Sequence, residues 1–351
     1  MIDQLRRAAI SVSLNIAEGS GKQGGECLII VMFWIFAVLV LAGASVHAQT
    51  SINTFAKGTE YEFQIDFVEI GNPGNSPDST GLGSVSYIYN LGKYEISRDQ
   101  ISKANAVGNL GITMYDMSSL GGNGINRPAT GINWNEAARF VNWLNTSMGY
   151  HVAYNFTTSG VNDNITLWTN GQSGYNPDNP YRNSNAFYFL PSVDEWYKGG
   201  YFDPNKAGGA GYWSYATGSD SAPTAVSGGS LLNTAIYNQS FFQGPADVKD
   251  AGGMSPYGIM GQAGNAEEWK ESAGDGINNL ADEGRAIRGG DWWRGADRLV
   301  KNWSTDGEPG NLDYNYLNLG FRVASVPEPS SLSLLLAGGA VLMAGRRRKA
   351  D

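Results

Sequence analysis

Sulfur and imidazole are nearly absent from this chain, whose 351 residues include one cysteine and two histidines. Cys27 and His47 both precede residue 49, ahead of the point where a signal peptide would be cut, so a mature form keeps His151 and no thiol. A cysteine nucleophile, a Cys/His zinc site and a disulfide framework are then excluded. Charge is scarce too, and basic charge scarcer: 49–325 holds 17 basic against 28 acidic side chains, a net of −11. Such a surface lacks the basic stripe that phosphate binding needs, which argues against nucleic acid and leaves calcium, neutral glycans and protein surfaces open. No linker-like Ser/Pro run or internal repeat interrupts 49–325, which therefore reads as one domain.

What the chain has in abundance is glycine and aromatics, with 47 Gly, 10 Trp and 18 Tyr. Glycine is costly inside helices while Trp and Tyr bury large areas, so the composition predicts a loop-rich globule stitched by rings. Two helices announce themselves. Asn133 can cap a helix through Leu144, with Glu136 at the capping-box position and Ala137, Phe140, Val141 and Leu144 on one face. Ser192-Val193-Asp194-Glu195 repeats the box and leads through Lys198 to an expected stop at Gly199-Gly200. Short strands are expected at Tyr61 to Ile70, Ser86 to Ile96, Ala286 to Arg288 and Gly320 to Ala324. The stretches 150–186 and 203–255 read as irregular, which demands that a metal ion or dense ring packing fix them.

The ends read as addresses. Residues 28–43 form an apolar run followed by Val46-His47-Ala48, so 26–48 reads as a signal peptide cut between Ala48 and Gln49, although nothing basic directly precedes the run. An uncleaved anchor is the alternative. Residues 326–351 begin Val326-Pro327-Glu328-Pro329, continue nearly apolar from Ser330 to Gly345, and close on Arg346-Arg347-Arg348-Lys349. At ~1.5 Å per residue the apolar part is barely long enough to cross a ~30 Å hydrocarbon core, and the basic stop would hold it at the cytoplasmic face. All three parts in order resemble the PEP-CTERM sorting signal, which implies an exosortase-type membrane sortase as partner. They also imply export to the surface or extracellular matrix of an exopolysaccharide-producing, Gram-negative-type bacterium, with transient membrane insertion through both termini. An ordinary single-pass anchor predicts the same orientation with an intact tail. Ahead of the signal, Asp3 to Ala9 and Asn15 to Lys22 resemble the four-helix bundle family encoded by ribosomal-RNA intervening sequences. Twenty residues cannot fold alone, so 1–25 reads as a fusion remnant or an early start codon.

Between the ends, Asn133 to Leu144, Phe189 to Lys198, Ser255 to Met260, Gly264-Asn265-Ala266-Glu267-Glu268-Trp269, Arg288-Gly289-Gly290 and Gly320 to Ala324 stand in the order of the formylglycine-generating enzyme, or sulfatase-modifying factor, family. Phe67 to Asn75 and Gly92 to Ile96 also look like its exported members. The resemblance spans roughly 60–325 and implies that family's α+β, C-type-lectin-related fold, with few regular elements. Its enzymes oxidise a substrate cysteine with two copper-binding cysteines late in the domain. Arg298 to Ser304, the corresponding stretch, contains neither, so no copper is expected and no formylglycine should be made.

The same resemblance places a structural calcium at Asn265 and Glu268, with the carbonyl of Ala266 nearby, since hard oxygen ligands suit that ion. Glu267 departs from the family's Trp at that place, and Ile236-Tyr237 departs from the Asn that opens a second calcium site. A hydrogen-bonded turn without metal is the alternative for Asn265 and Glu268. The remaining candidate for ligand binding is Asp291-Trp292-Trp293-Arg294 with Lys301 and Trp303, because Trp and Arg dominate binding hot spots and exposed Trp stacks on sugars; core packing is the competing explanation. The Asn-rich Asp163 to Asn185 suits a recognition loop or an idle one. His151 lacks a nucleophile or second ligand and reads as structural. Three functions remain: a non-catalytic module binding a glycan or an exported protein, an enzyme with cysteine-independent chemistry using carboxylates such as Asp291 or Asp297, and a structural matrix component.

Overall fold

The computed structural model describes residues 49–157, 165–301 and 312–327. Among these, three α-helices each begin at a capping box. Ser97 opens α1 (Arg98–Gly108), Asn133 opens α2 (Trp134–Ser147) and Ser192 opens α3 (Val193–Tyr201). In each, the cap side chain accepts the N3 amide while the N3 side chain, Gln100, Glu136 or Glu195, reaches back to the cap amide, satisfying two otherwise orphaned donors. The apolar face of α2 is buried as its spacing requires, with Ala137, Phe140, Val141 and Leu144 all in the core.

In chain order the strands are β1 (Thr50–Phe55), β2 (Phe63–Ile70), β3 (Tyr89–Gly92), β4 (Asn155–Phe156), β5 (Ile165–Thr166), β6 (Tyr188–Phe189), β7 (Phe202–Asp203), β8 (Gly211–Tyr212), β9 (Thr224–Ala225), β10 (Thr234–Ala235), β11 (Glu267–Ala273), β12 (Arg285–Arg288), β13 (Leu319–Gly320) and β14 (Ala324–Ser325). The main sheet runs β1-β2-β3-β14-β6, antiparallel throughout, and a smaller one runs β12-β11-β13. The rest are two-residue ladders. This is a mixed α+β fold dominated by loops.

Several expectations need correction. Gly199-Gly200 does not stop α3, which continues to Tyr201. The glycines instead permit close packing: a Cβ on Gly199 would lie 2.6 Å from Cδ2 of Leu91 in β3. The strand expected over Ser86 to Ile96 shortens to β3, because at Lys93 the amide still bonds to Asp66 in register but the carbonyl is taken by the Met260 amide, which ends the ladder. The one expected at Gly320 to Ala324 splits between two sheets, β13 and β14, with Arg322 entering the core between them. Helix α1 and strands β1 and β11 were not expected from the sequence.

Ring packing alone does not hold the irregular stretches. Asparagine side chains do much of that work by imitating backbone. Asn142 accepts from the amides of Ala153 and Tyr154 and donates to the carbonyl of Tyr154. Asn145, fully buried, does the same for Phe187 and Tyr188. Four tryptophans, Trp134, Trp196, Trp269 and Trp292, are completely enclosed. Each indole N–H finds an acceptor, on Lys270, Glu268, Ile132 and Phe241 respectively, so none of these four donors is orphaned.

Candidate functional site

The turn Gly264-Asn265-Ala266 leads into β11 and sets the first group of candidate residues. Asn265 adopts φ 67°, the left-handed region that asparagine tolerates, which turns its amide into the core. Its Oδ1 accepts from the Ala246 amide at 2.8 Å and its Nδ2 donates to Glu95 at 2.7 Å. The Ala266 amide donates to the other Glu95 oxygen at 3.0 Å. Glu268 meets Arg322 through both carboxylate oxygens, at 2.6 to 3.0 Å, and also accepts from the Trp196 indole at 2.8 Å.

This geometry does not fit a calcium ion. Both Glu268 oxygens face a guanidinium, and the Asn265 carbonyl oxygen that would ligate is taken by a backbone donor. Arg322 supplies there the positive charge that a cation would supply. Among the described residues no three His, Cys, Asp or Glu side chains cluster as a metal set. The electrostatics follow. Burial and the nearby Glu268 charge push the Glu95 carboxyl up to about 8. Burial alone would raise Glu268 as well, but Arg322 and Lys270 hold it below the ordinary range. Copper fits no better, since the stretch beginning at Arg298 presents a buried Leu299 and a Lys301 held 3.0 Å from Asp78, with no thiolate.

The second group meets one residue along. Asp291 is fully buried; its Oδ1 accepts the amides of Trp293 and Arg294 at 3.2 and 3.0 Å, fixing the turn. Arg294 bridges Glu267 at 2.9 Å and Asp291 at 3.0 Å. Asn318 spans the same two carboxyls from the other side, at 2.7 and 2.9 Å. Burial raises both acids above their ordinary range, with Arg294 opposing.

Clamped in this way, Arg294 lies 5.0 Å from the ring centre of the half-buried Trp293. Trp293 meets Phe241 edge-on at 5.2 Å, and Phe241 meets Phe242 at 5.5 Å. Phe242 is 69 % exposed, so the three rings and the guanidinium form a surface strip over a buried acid pair.

For Trp292, which the sequence left between a ligand surface and the core, the structure gives the core. It is completely enclosed and packs on Met117, Leu120 and Met260, so it supports the strip from beneath. Lys301 is also elsewhere, paired with Asp78. Trp303 lies outside the described residues, as do Ala48, Glu328, Pro329, Arg346, Arg347, Arg348 and Asp163. Gln49 begins the described chain, exposed, with its carbonyl accepting from Glu69. His151 is exposed and meets the Trp168 ring at 5.9 Å.

Sequence reading missed Glu267, Asn318, Phe241 and Phe242 as members of this site. The Phe241-Phe242 pair within a polar stretch was a usable signal; the clamp by Asn318 required the fold.

The comparisons agree with this architecture. A profile for the sulfatase-modifying factor enzyme 1-like domain matches residues 87–326, and one for the PEP-CTERM protein-sorting motif matches residues 325–349. The latter identifies the chain as exported, surface-sorted and processed by an exosortase-type system. No four-helix-bundle match supports the resemblance read in residues 2–22, which lie outside the described residues. Among solved structures, the Treponema denticola variable protein 1 is similar at 18 % identity and TM-score 0.52, over 79 % of this chain and 99 % of that one. CarF is 13 % identical at TM-score 0.46, over 75 % of this chain and 99 % of its own. PvdO from Pseudomonas aeruginosa is 12 % identical at TM-score 0.45, over 78 % of this chain and 98 % of its own. No curated protein sequence matches the chain. Among the described residues no helix is long and apolar enough to cross a membrane. With the domain profile covering residues 87–326 and the fold in agreement, the chain belongs to the sulfatase-modifying factor enzyme 1-like family.

Proposed function

We propose that this exported protein is a non-catalytic recognition module whose ligand is a glycan, bound at the strip formed by Phe241, Phe242, Trp293 and Arg294. The observation that carries this reading is the clamp on Arg294. Two buried carboxyls and Asn318 fix the guanidinium beside the Trp293 ring before any ligand arrives, so little side-chain freedom is lost on binding. Aromatic faces stack on the C–H faces of sugars, and a fixed guanidinium donates to ring hydroxyls.

The acids themselves are poorly suited to reaction. Asp291 and Glu267 are buried, and the four donor contacts from Arg294 and Asn318 occupy the oxygens a general acid or base would use. Membrane attachment through the tail before sorting completes the reading.

A glycan array probed with the exported protein tests it. Binding of at least one glycan should be lost in Trp293→Ala and retained in Leu232→Ala, an exposed apolar residue outside the strip. Retention of every bound glycan by Trp293→Ala, or capture of peptides in preference to glycans, refutes the assignment. Incubation with a cysteine-containing sulfatase peptide and copper should yield no aldehyde.

A further inference from the structure

We infer that a second binding site, separate from the Trp293 strip, lies in the groove at the start of α3, and that it takes a short neutral oligosaccharide. The groove encloses about 590 Å³ between residues 80–87, the first turn of α3 and the segment 272–278. That volume falls within the ~300–1,000 Å³ typical of small-ligand sites.

Its floor is rigid. Arg182 donates to Glu271 at 2.9 Å and to both oxygens of Glu195 at 3.1 Å, while the Tyr87 hydroxyl donates to Glu195 at 2.7 Å. These buried charges are mutually satisfied, so the floor is held without any ligand. Tyr87 is 48 % exposed with its hydroxyl fastened, which leaves its ring as a fixed platform in the groove.

The walls select the ligand. Leu82, Val193 and Ala273 are the aliphatic contributions, too few for the apolar side-chain pockets that bind peptides or hydrophobic molecules. Asp178, Asp194 and Asp275 present carboxylates. One Asp194 oxygen holds the Gly83 amide at 2.7 Å and one Asp275 oxygen holds the Ile277 amide at 2.8 Å, so each carboxylate has its second oxygen available as an acceptor. Carboxylates accept without donating and can each take two hydroxyl donors. A row of acceptors beside a fixed aromatic ring suits a chain of polyhydroxylated rings. Of the cations that also line the groove, Arg182 is paired with Glu195 and Glu271 and Lys301 with Asp78, which leaves Arg288 against three aspartates, so the walls are net acidic and disfavour uronate or sulfated sugars.

The test uses the exported protein and a panel of neutral tri- and tetrasaccharides, the matching uronate oligomers and hydrophilic hexapeptides, measured by titration calorimetry. Expected is saturable binding of at least one neutral oligosaccharide, weakened at least tenfold in Asp194→Asn and in the exposed-site double variant Asp178→Ala/Asp275→Asn, and unchanged in Trp293→Ala. Asn at 194 can still accept from Gly83, and the double variant touches only exposed positions, so loss of folding does not mimic the result. Tighter binding of uronates or peptides, or equal binding by both groove variants and wild type, overturns the groove. Sensitivity to Trp293→Ala alone assigns the ligand to the strip and leaves the groove refuted.

Discussion

Replacing Glu95 by glutamine should remove a large part of the pH dependence of stability. Glu95 is 2 % exposed, and burial together with the Glu268 charge lifts its carboxyl from 4.5 to about 8. The native state therefore holds a proton near pH 6 that the unfolded chain has released, so stability falls as pH rises from the unfolded value toward the folded one. One such group contributes at most about 1.4 kcal/mol per pH unit, or about 3 kcal/mol between pH 5 and pH 7. Glu267, Glu271, Asp291 and Asp194 are raised by burial too and act in the same direction. Lys270, lowered by burial to about 7, and Lys198, lowered by burial to about 8, act with the opposite sign and only from about pH 7 upward. The interval from pH 5 to 7 thus isolates the carboxyls. Urea denaturation followed by tryptophan fluorescence at three pH values measures it: wild type should lose stability across the interval, and Glu95→Gln should lose distinctly less. The variant should also sit lower at pH 5, because the glutamine amide replaces one of the two accepting oxygens with a donor, so either Asn265 or Ala266 loses its acceptor. An unchanged slope would show that Glu95 is ionised in the folded protein and refute the reasoning.

Three further outcomes follow from burial and pairing. Trp292→Ala should cost roughly 3–5 kcal/mol, as truncation of enclosed aromatic side chains does, and thermal denaturation should register it, whereas Trp293→Ala should change stability by less than about 1 kcal/mol. Chelation with EDTA should leave the melting temperature unchanged, since Arg322 already neutralises Glu268; a fall of several degrees would restore calcium to Asn265 and Glu268. Arg182→Met should destabilise by roughly 3–5 kcal/mol, because it strands Glu195 and Glu271 as buried charges, and a smaller loss in urea titration would mean that one of them protonates readily.

The capping boxes at Asn133 and Ser192 were legible because a cap is a local arrangement of residue types, and the apolar face of α2 because its period is local too. Ser97 and Gln100 carried the same signal ahead of α1, and it was overlooked. Family motifs delivered the order of elements and the absence of the copper cysteines. Two features depend on depth, which local motifs do not carry. Trp292 and Trp293 are neighbours of the same type, yet one is enclosed and the other half-exposed, a difference set by which side of the turn faces Met117 and Met260. Glu268 matched a ligand position, but its partner Arg322 lies 54 residues away and is brought to it only by the pairing of β11 with β13. Charge neutralisation at long range leaves no mark in local sequence.

Strand β14 is the last of the described strands yet internal in the sheet, paired on one side with β3 and on the other with β6. Until Ala324 and Ser325 are delivered, both neighbours keep a bare edge, and the main sheet exists as separate pieces. The sorting motif starts at that same point, at residue 325. A chain stalled or clipped just short of it would therefore fail to weld its sheet and would display unpaired strands prone to association. The closing seam of the domain and the beginning of its address are contiguous, so a completed domain is one whose chain has been made up to the tail.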